Sequence, residues 1–400
     1  MLTSRHILVI APYYYTYRDV ERGSGGSIFQ YDQAHALWRA GFRIGVLAPY
    51  GQTVRMFYKE YNRLWRGGEL TDDEGVSSCI YEGYHWCSER VRCLYLSHRF
   101  FCWVGMRLFQ KYVSAYGLPD ILHAHNTVPS GVLAHIISKK YRIPYVITEH
   151  NSEFALGNTF KTDYPPARQS WLSASSRIVV SPHLGYVVNR AFQTDCSFEY
   201  IPNMLAHLFR EVDIQESNAS DNKQFTFCNV ASLIENKNHE LLIRAFKQTF
   251  VDDEHVRLII IGDGYLRKKL TDMIKSNNLH GKVFLKGPMK RQGVKEALME
   301  CDAFVLSSRY ETFGVVLIEA MACGRPVIAP SGSGPDCIVT QDTGVLFPPD
   351  NLEQLSYQLL EMRNNFQKYD AYRIRQSCID RFSEEVIVRR IVEVYERCTC

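Results

Sequence analysis

The stretch Tyr310–Gly334, YETFGVVLIEAMACGRPVIAPSGSG, admits few backbone paths, and the rest of the chain has to be arranged around it. The β-prone run Ala303–Leu306 and a polar bend precede it, and Val315–Cys323 inside it contains no helix breaker. The order is strand, loop, helix. Thr312 is the expected N-cap, Gly324 takes the left-handed C-terminal position, and Pro326 stops the helix before a further strand, Val327–Ala329. Gly314, between Phe313 and Val315, lets backbone approach a ligand at the positive end of the helix dipole, where free N–H groups suit a phosphate. Glu311 precedes the helix and Glu319 stands within it, so one carboxylate addresses the loop's ligand and the other sits deeper. Glu on an otherwise apolar helix face needs a partner or a ligand.

Two glutamates eight positions apart around an aromatic–Gly turn, followed by EAMACGRPV, resemble the signature of retaining glycosyltransferases of family 4, glycosyl transferases group 1. The resemblance implies an α/β chain with the GT-B fold: two Rossmann-like, doubly wound parallel-sheet domains facing a cleft. It also implies transfer of a hexosyl residue from a nucleotide diphosphate sugar to a hydroxyl of a glycan or lipid-linked oligosaccharide, with retention and without a metal or other cofactor. Uridine donors are the commoner ones in such a family, and surface polysaccharide biosynthesis is the expected setting.

Four hundred residues exceed one ordinary core, so two domains are expected. No apolar run is long enough to span a bilayer and Met1–Ile10 carries no signal-peptide pattern, which points to a cytoplasmic protein. The twelve cysteines lack paired or zinc-ligand spacing, so reduced thiols and no structural metal are expected. Met1–Leu205 holds 21 Lys+Arg against 16 Asp+Glu, and the remainder 25 against 27. That bias suits an anionic membrane surface and is too dilute for nucleic acid. Ser97–Ala115 reads as a basic amphipathic helix with Arg99, Arg107 and Lys111, either packed on the sheet or in contact with the inner face of a membrane.

In the first half, His6–Pro12 is strand-like and leads through an aromatic loop and Gly23-Ser24-Gly25-Gly26 to a helix ended by Gly41, then to strand Arg43–Ala48. This βαβ start lacks the G-x-G-x-x-G spacing of nicotinamide and flavin enzymes. Gly25 and Gly26 match the family's first glycine loop, which implies donor contact; a tight turn is the alternative. Gly51–Cys93 yields no clear elements. Asp120–His125 is a strand, and Pro144–Thr148 another that closes on Glu149-His150-Asn151. Ligands bind at the carboxyl ends of such strands. His125 matches the family's sugar-facing histidine, able to bond a sugar hydroxyl or developing charge. His150 and Asn151 are expected on the acceptor side.

The first domain is placed at 1–205, a linker at 206–224, the nucleotide-sugar domain at 225–380, and at 381–400 a helix crossing back to the first domain. Lys237, before the helix His239–Thr249, matches the family's diphosphate-binding lysine. The companion arginine five residues earlier is Ser232 here, which removes a cation from the expected clamp. Pro288 and Met289 match the base-recognition loop. A nucleotide-sugar epimerase or phosphorylase on the same fold is a rival reading, as is a catalytically weak donor-binding protein.

Overall fold

A computed structural model describes residues 5–12, 29–49, 69–73, 75–80, 91–156, 164–214 and 224–399. Gly25, Gly26, most of the Gly51–Cys93 stretch and part of the expected linker lie outside the described residues. The chain divides into two compact units: Met1–Ile201 with Ile387–Cys400, and Pro202–Val386.

The first unit contains β1 (His6–Ile10), β2 (Arg43–Ala48), β3 (Glu69–Asp73), β4 (Val76–Ile80), β5 (Ile121–His125), β6 (Tyr145–Glu149), β7 (Ser176–Val179) and β8 (Glu199–Tyr200). Their order is β3-β4-β2-β1-β5-β6-β7-β8, parallel throughout except where the polar edge strand β3 pairs antiparallel with β4. β1, β5 and β6 are buried at every residue, as parallel strands covered on both faces are. Helix Val91–Tyr116 packs on β2 through Tyr112, and a Cβ on Gly45 would meet the Tyr112 hydroxyl at 1.8 Å. The strand order reverses between β1 and β5. Such a reversal opens a crevice at the carboxyl ends of the strands, and β5 ends there on His125.

The second unit contains β9 (Phe225–Val230), β10 (Val256–Ile261), β11 (Val283–Gly287), β12 (Ala303–Val305), β13 (Val327–Pro330) and β14 (Gly344–Phe347). All pair in parallel, in the order β11-β10-β9-β12-β13-β14, and here the reversal falls between β9 and β12. The core on one side of the sheet is built from Phe227, Leu242, Phe246, Leu258, Ile260 and Leu270. Each unit is therefore a Rossmann-like doubly wound sheet, as the motif order requires.

The boundary between the two units falls earlier in the chain than the sequence suggests. Residues 202–214 belong to the second unit, although 206–214 reads as linker by polarity. Buried Phe209, Val212 and Ile214 alternate with exposed Arg210, Glu211 and Asp213. The Leu205 N–H donates to Phe382 O at 2.7 Å, and Lys295 Nζ donates to Leu208 O and Glu211 O at 3.0 and 2.9 Å. A one-sided apolar pattern of this kind is hidden in an average over composition. At the other end, helix Glu384–Thr399 starts in the second unit and belongs to the first from Ile387 onward. Tyr395 is fully buried, Arg390 donates to Tyr200 O, and Arg397 pairs with Glu199.

Phe209→Ala tests the packing of 202–214. Loss of a fully buried phenyl should cost about 3–5 kcal/mol of unfolding free energy, read from the urea transition of the second unit. An unchanged midpoint would mean that the segment is a passive connector.

Candidate active site

In the second unit two loops leave the sheet on either side of the strand reversal. The β9 loop ends in the short turn Glu235–Lys237, and the β12 loop carries Ser307 to Glu311. Lys237 Nζ donates to Glu311 Oε1 at 2.6 Å, and Ser308 Oγ donates to the same oxygen at 2.6 Å. The side chains are 23% and 12% exposed, so the pair is largely out of water yet reachable. Ser307 Oγ donates to Lys237 O at 2.9 Å, tying the loops together below it.

Helix Val315–Ala322 follows, and its N-cap is Gly314, at φ 112° and ψ 59°, with no side-chain cap. Thr312 does not cap it. The left-handed turn at Gly314 places the helix start two residues later than a threonine cap would, and leaves the positive end of the helix without a side chain across it. Phe313 is buried, while Gly314 and Val315 are half-buried. Glu319 lies in this helix, half-buried between buried Ile318 and Ala320.

Gly334 was not singled out from sequence, yet the site loop rests on it. A Cβ there would lie 2.4 Å from Phe313 N, and the Gly334 N–H donates to Glu311 O at 2.9 Å. Its signal was the repeated glycine of SGSG. On the β9 side, Ser232 is exposed in a loop against which Gly262 and Gly264 pack; a Cβ on either would meet Ala231 O or Leu233 O at 2.0 and 2.4 Å. Pro288 is exposed and Met289 half-buried in the bend between β11 and helix Arg291–Glu300.

In the first unit, His123 and His125 alternate on β5 and are both fully buried. His125 Nδ1 lies 3.0 Å from His150 Nε2, so one of the two rings donates and the other accepts. His123 stacks on His125 with ring centres 4.9 Å apart. Its Nε2 is 2.6 Å from Thr148 Oγ1 and its Nδ1 is 2.5 Å from the hydroxyl of Tyr395. Tyr395 was missed from sequence because it stands 270 positions beyond the strand it serves, a separation that no local pattern encodes; His123 and Tyr395 are 272 apart. Glu149 is fully buried and its carboxylate accepts from three backbone N–H groups: Thr127 (2.7 Å), His150 (3.0 Å) and Asn151 (2.8 Å). It thereby shapes the ends of both strands. Asn126, in the left-handed region at φ 69°, accepts from the His150 N–H at 3.2 Å. His150 is 9% exposed and lies against Phe29, ring centres 4.3 Å apart. The Asn151 side chain accepts from the Glu153 N–H at 2.9 Å, capping the turn Ser152–Phe154.

Two family models match successive parts of the chain: glycosyltransferase family 4 over residues 23–205 and glycosyl transferases group 1 over residues 211–375. The chain is a group 1 glycosyltransferase of the GT-B fold. The enzyme is 26% identical to N-acetyl-alpha-D-glucosaminyl L-malate synthase of Bacillus anthracis, over 69% of this chain and 74% of that one. Among solved structures, sucrose-phosphate synthase from Thermosynechococcus elongatus superposes with a TM-score of 0.76 at 18% identity, covering 98% of both chains. HepE of Anabaena, solved in complex with UDP, gives 0.69 at 19% identity, covering 98% of this chain and 99% of that one. Those structural likenesses speak for the fold. Among the described residues of the glycosyltransferase no group of three His, Cys, Asp or Glu side chains could hold a metal ion.

Burial pushes the His123 imidazole down to about 3 and holds His125 well below its usual value, helped there by the neighbouring His123 and His150. Both rings are neutral at physiological pH. In the unfolded chain each titrates near 6.5. Acid therefore protonates the unfolded chain first, and the stability present above about pH 6.5 is lost as pH falls toward the folded values. The His123 ring should cost about 1.4 kcal/mol between about pH 7.5 and 5.5, and His125 should add a loss of the same sign. Urea midpoints across that window read it, and a flat midpoint would mean that the rings are solvated.

Proposed function

We propose that the enzyme transfers a hexosyl residue from a nucleotide diphosphate sugar to a hydroxyl of a glycan or lipid-linked acceptor, with retention at the anomeric carbon and without a metal. The observation that carries this reading is the Lys237–Glu311 pair, set at the strand reversal beside an uncapped helix start. A leaving diphosphate needs positive charge and N–H donors placed before it departs; the Lys237 ammonium and the backbone of Phe313, Gly314 and Val315 supply both kinds. Uridine diphosphate is the nucleotide we assign. Its support is the UDP bound in the HepE structure of the same fold.

Glu311 has Oε1 engaged by Lys237 and Ser308, which leaves Oε2 to accept from a donor sugar hydroxyl. Held that way, it orients the sugar while the acceptor hydroxyl attacks from the side the diphosphate leaves; a carboxylate serving as a nucleophile would form a covalent adduct instead. Glu319 accepts from the ribose hydroxyls, and the bend at Pro288 and Met289 borders the base. In the first unit neutral His125 offers its second ring nitrogen, Nε2, which has no hydrogen-bond partner among the described residues, to a sugar hydroxyl. Asn151 and the nearly buried His150 stand on the acceptor side of that ring. The reading of a weakly active donor-binding protein draws on Ser232, which supplies a hydroxyl where the family has a cation.

One further observation supports an acceptor at a membrane surface. Helix Val91–Tyr116 turns Arg99, Trp103, Arg107 and Lys111 to solvent at helical spacing, with the Arg107 guanidinium 4.2 Å over the Trp103 ring. Among the described residues no helix is long and apolar enough to cross a membrane. Contact would be peripheral, on the inner face.

The two glutamates give the kinetic test. Glu319→Ala should mainly raise the donor's KM, since ribose contacts bind ground state and transition state alike. Glu311→Ala should lower kcat by about 10² or more while UDP still binds. Calorimetry with UDP decides between them: if Glu311→Ala loses affinity as badly as Glu319→Ala, the division of labour is wrong. A covalent glycosyl adduct on Glu311 would overturn its role.

Liposome flotation tests the membrane face. The protein should float with anionic vesicles at low salt, each exposed cation near the surface contributing about 1 kcal/mol, and an R107E/K111E variant should not. Equal flotation of the variant would remove this helix from the contact.

A further inference from the structure

Lys237 and Glu311 sit on loops from different strands, and a pair made across two loops stays in register only if the loops are braced. Arg309 braces them from outside the pair. Its backbone N–H donates to Asn236 O at 2.8 Å. Its guanidinium donates to Glu235 O at 2.7 Å, to Asp350 Oδ1 at 3.0 Å and to Asn238 Oδ1 at 3.5 Å. Asp350, beyond β14, accepts a second bond on that oxygen from Asn238 Nδ2 at 2.8 Å, and Asn236 Nδ2 donates to Tyr310 O at 3.0 Å. Residues on both sides of Lys237 are thus gripped by one side chain. Asn238 and Asp350 both lie in the left-handed region, at φ 50° and 57°, which non-glycine residues keep only where their surroundings hold them.

We propose that Arg309 is a positioning residue for the donor diphosphate, acting through Lys237. This rests on the reading of Lys237 as the diphosphate ligand. All three guanidinium nitrogens donate to protein, which commits the side chain to holding the two loops, so Arg309 acts on the donor through what it holds. A planar fork is required to reach a carboxylate, a carbonyl and an amide oxygen at once; a lysine at 309 could satisfy only part of that set. Because Ser232 carries no charge, the seating of Lys237 bears more of the binding of diphosphate than it would beside an arginine.

As an ordinary exposed ion pair, Arg309–Asp350, with side chains 47% and 55% exposed, would add little to stability and nothing specific to Lys237. The test is a double-mutant cycle read by UDP calorimetry on the full chain. Arg309→Ala and Arg309→Lys should each weaken UDP by about tenfold, and Arg309→Ala should cost nothing further once Lys237→Ala is present. Unchanged affinity in Arg309→Ala, or losses that add in the double variant, would overturn the proposal. A second measurement needs no donor. In ligand-free protein with ¹⁵N-labelled lysine, the Lys237 Nζ resonance, assigned by its loss in Lys237→Ala, should shift or broaden in Arg309→Ala. An unmoved resonance would overturn the seating of Lys237. If that resonance moves while the wild type binds no UDP, the seating stands and the assignment of the nucleotide falls.

Discussion

A lysine and a glutamate drawn mostly out of water at 2.6 Å do not stabilise each other unconditionally. Desolvation opposes their attraction, and the balance is favourable only where further hydrogen bonds complete both groups. Ser308 provides one such bond to the carboxylate. The rest of the second unit follows from this need: the pair has to sit where two parallel strands diverge, because only there can two loops meet over a crevice with a helix start beside them. Gly334 and Gly314 are the backbone price of bringing the β12 loop in so closely.

The pair is also a store of readiness. The ammonium already has an anionic partner. On the function proposed above, a diphosphate arriving at Lys237 would compete with Glu311 or share the cation with it, and either way the carboxylate's surroundings would change. The first unit meets the corresponding problem with a buried polar cluster of three imidazoles, a tyrosine and a threonine hydroxyl, held at the ends of β5 and β6 by the carboxylate of Glu149.

Much of this was legible in the sequence wherever the physics is local. Strand–loop–helix order, the glycine at the helix start and the strand ends carrying His125 and Glu149 all arise from neighbours a few positions apart. Thr312 misled because a cap preference is weaker than the geometric demand of a left-handed glycine at 314. The segment 206–214 misled because polarity was averaged across it, while the buried residues alternate. Tyr395 and the pairing of Lys237 with Glu311 were beyond reach for a different reason: both are contacts between residues distant in sequence, fixed by topology alone.

The seat of His123 has a consequence in time. Its tyrosine partner lies on helix Glu384–Thr399, which joins the first unit only after the whole of Pro202–Val386 has been made. At translation rates of about 5–20 residues per second, that leaves the first unit without its closing helix for on the order of ten to forty seconds. Over that interval the first unit lacks Ile387, Ile391, Val394 and Tyr395, all buried in the finished chain, and the apolar surface they pack against stays uncovered. The order of synthesis thus delays completion of the histidine cluster until the whole second unit already exists, and it makes the apolar surface left uncovered the point at which a chaperone or a misfolding contact would act first.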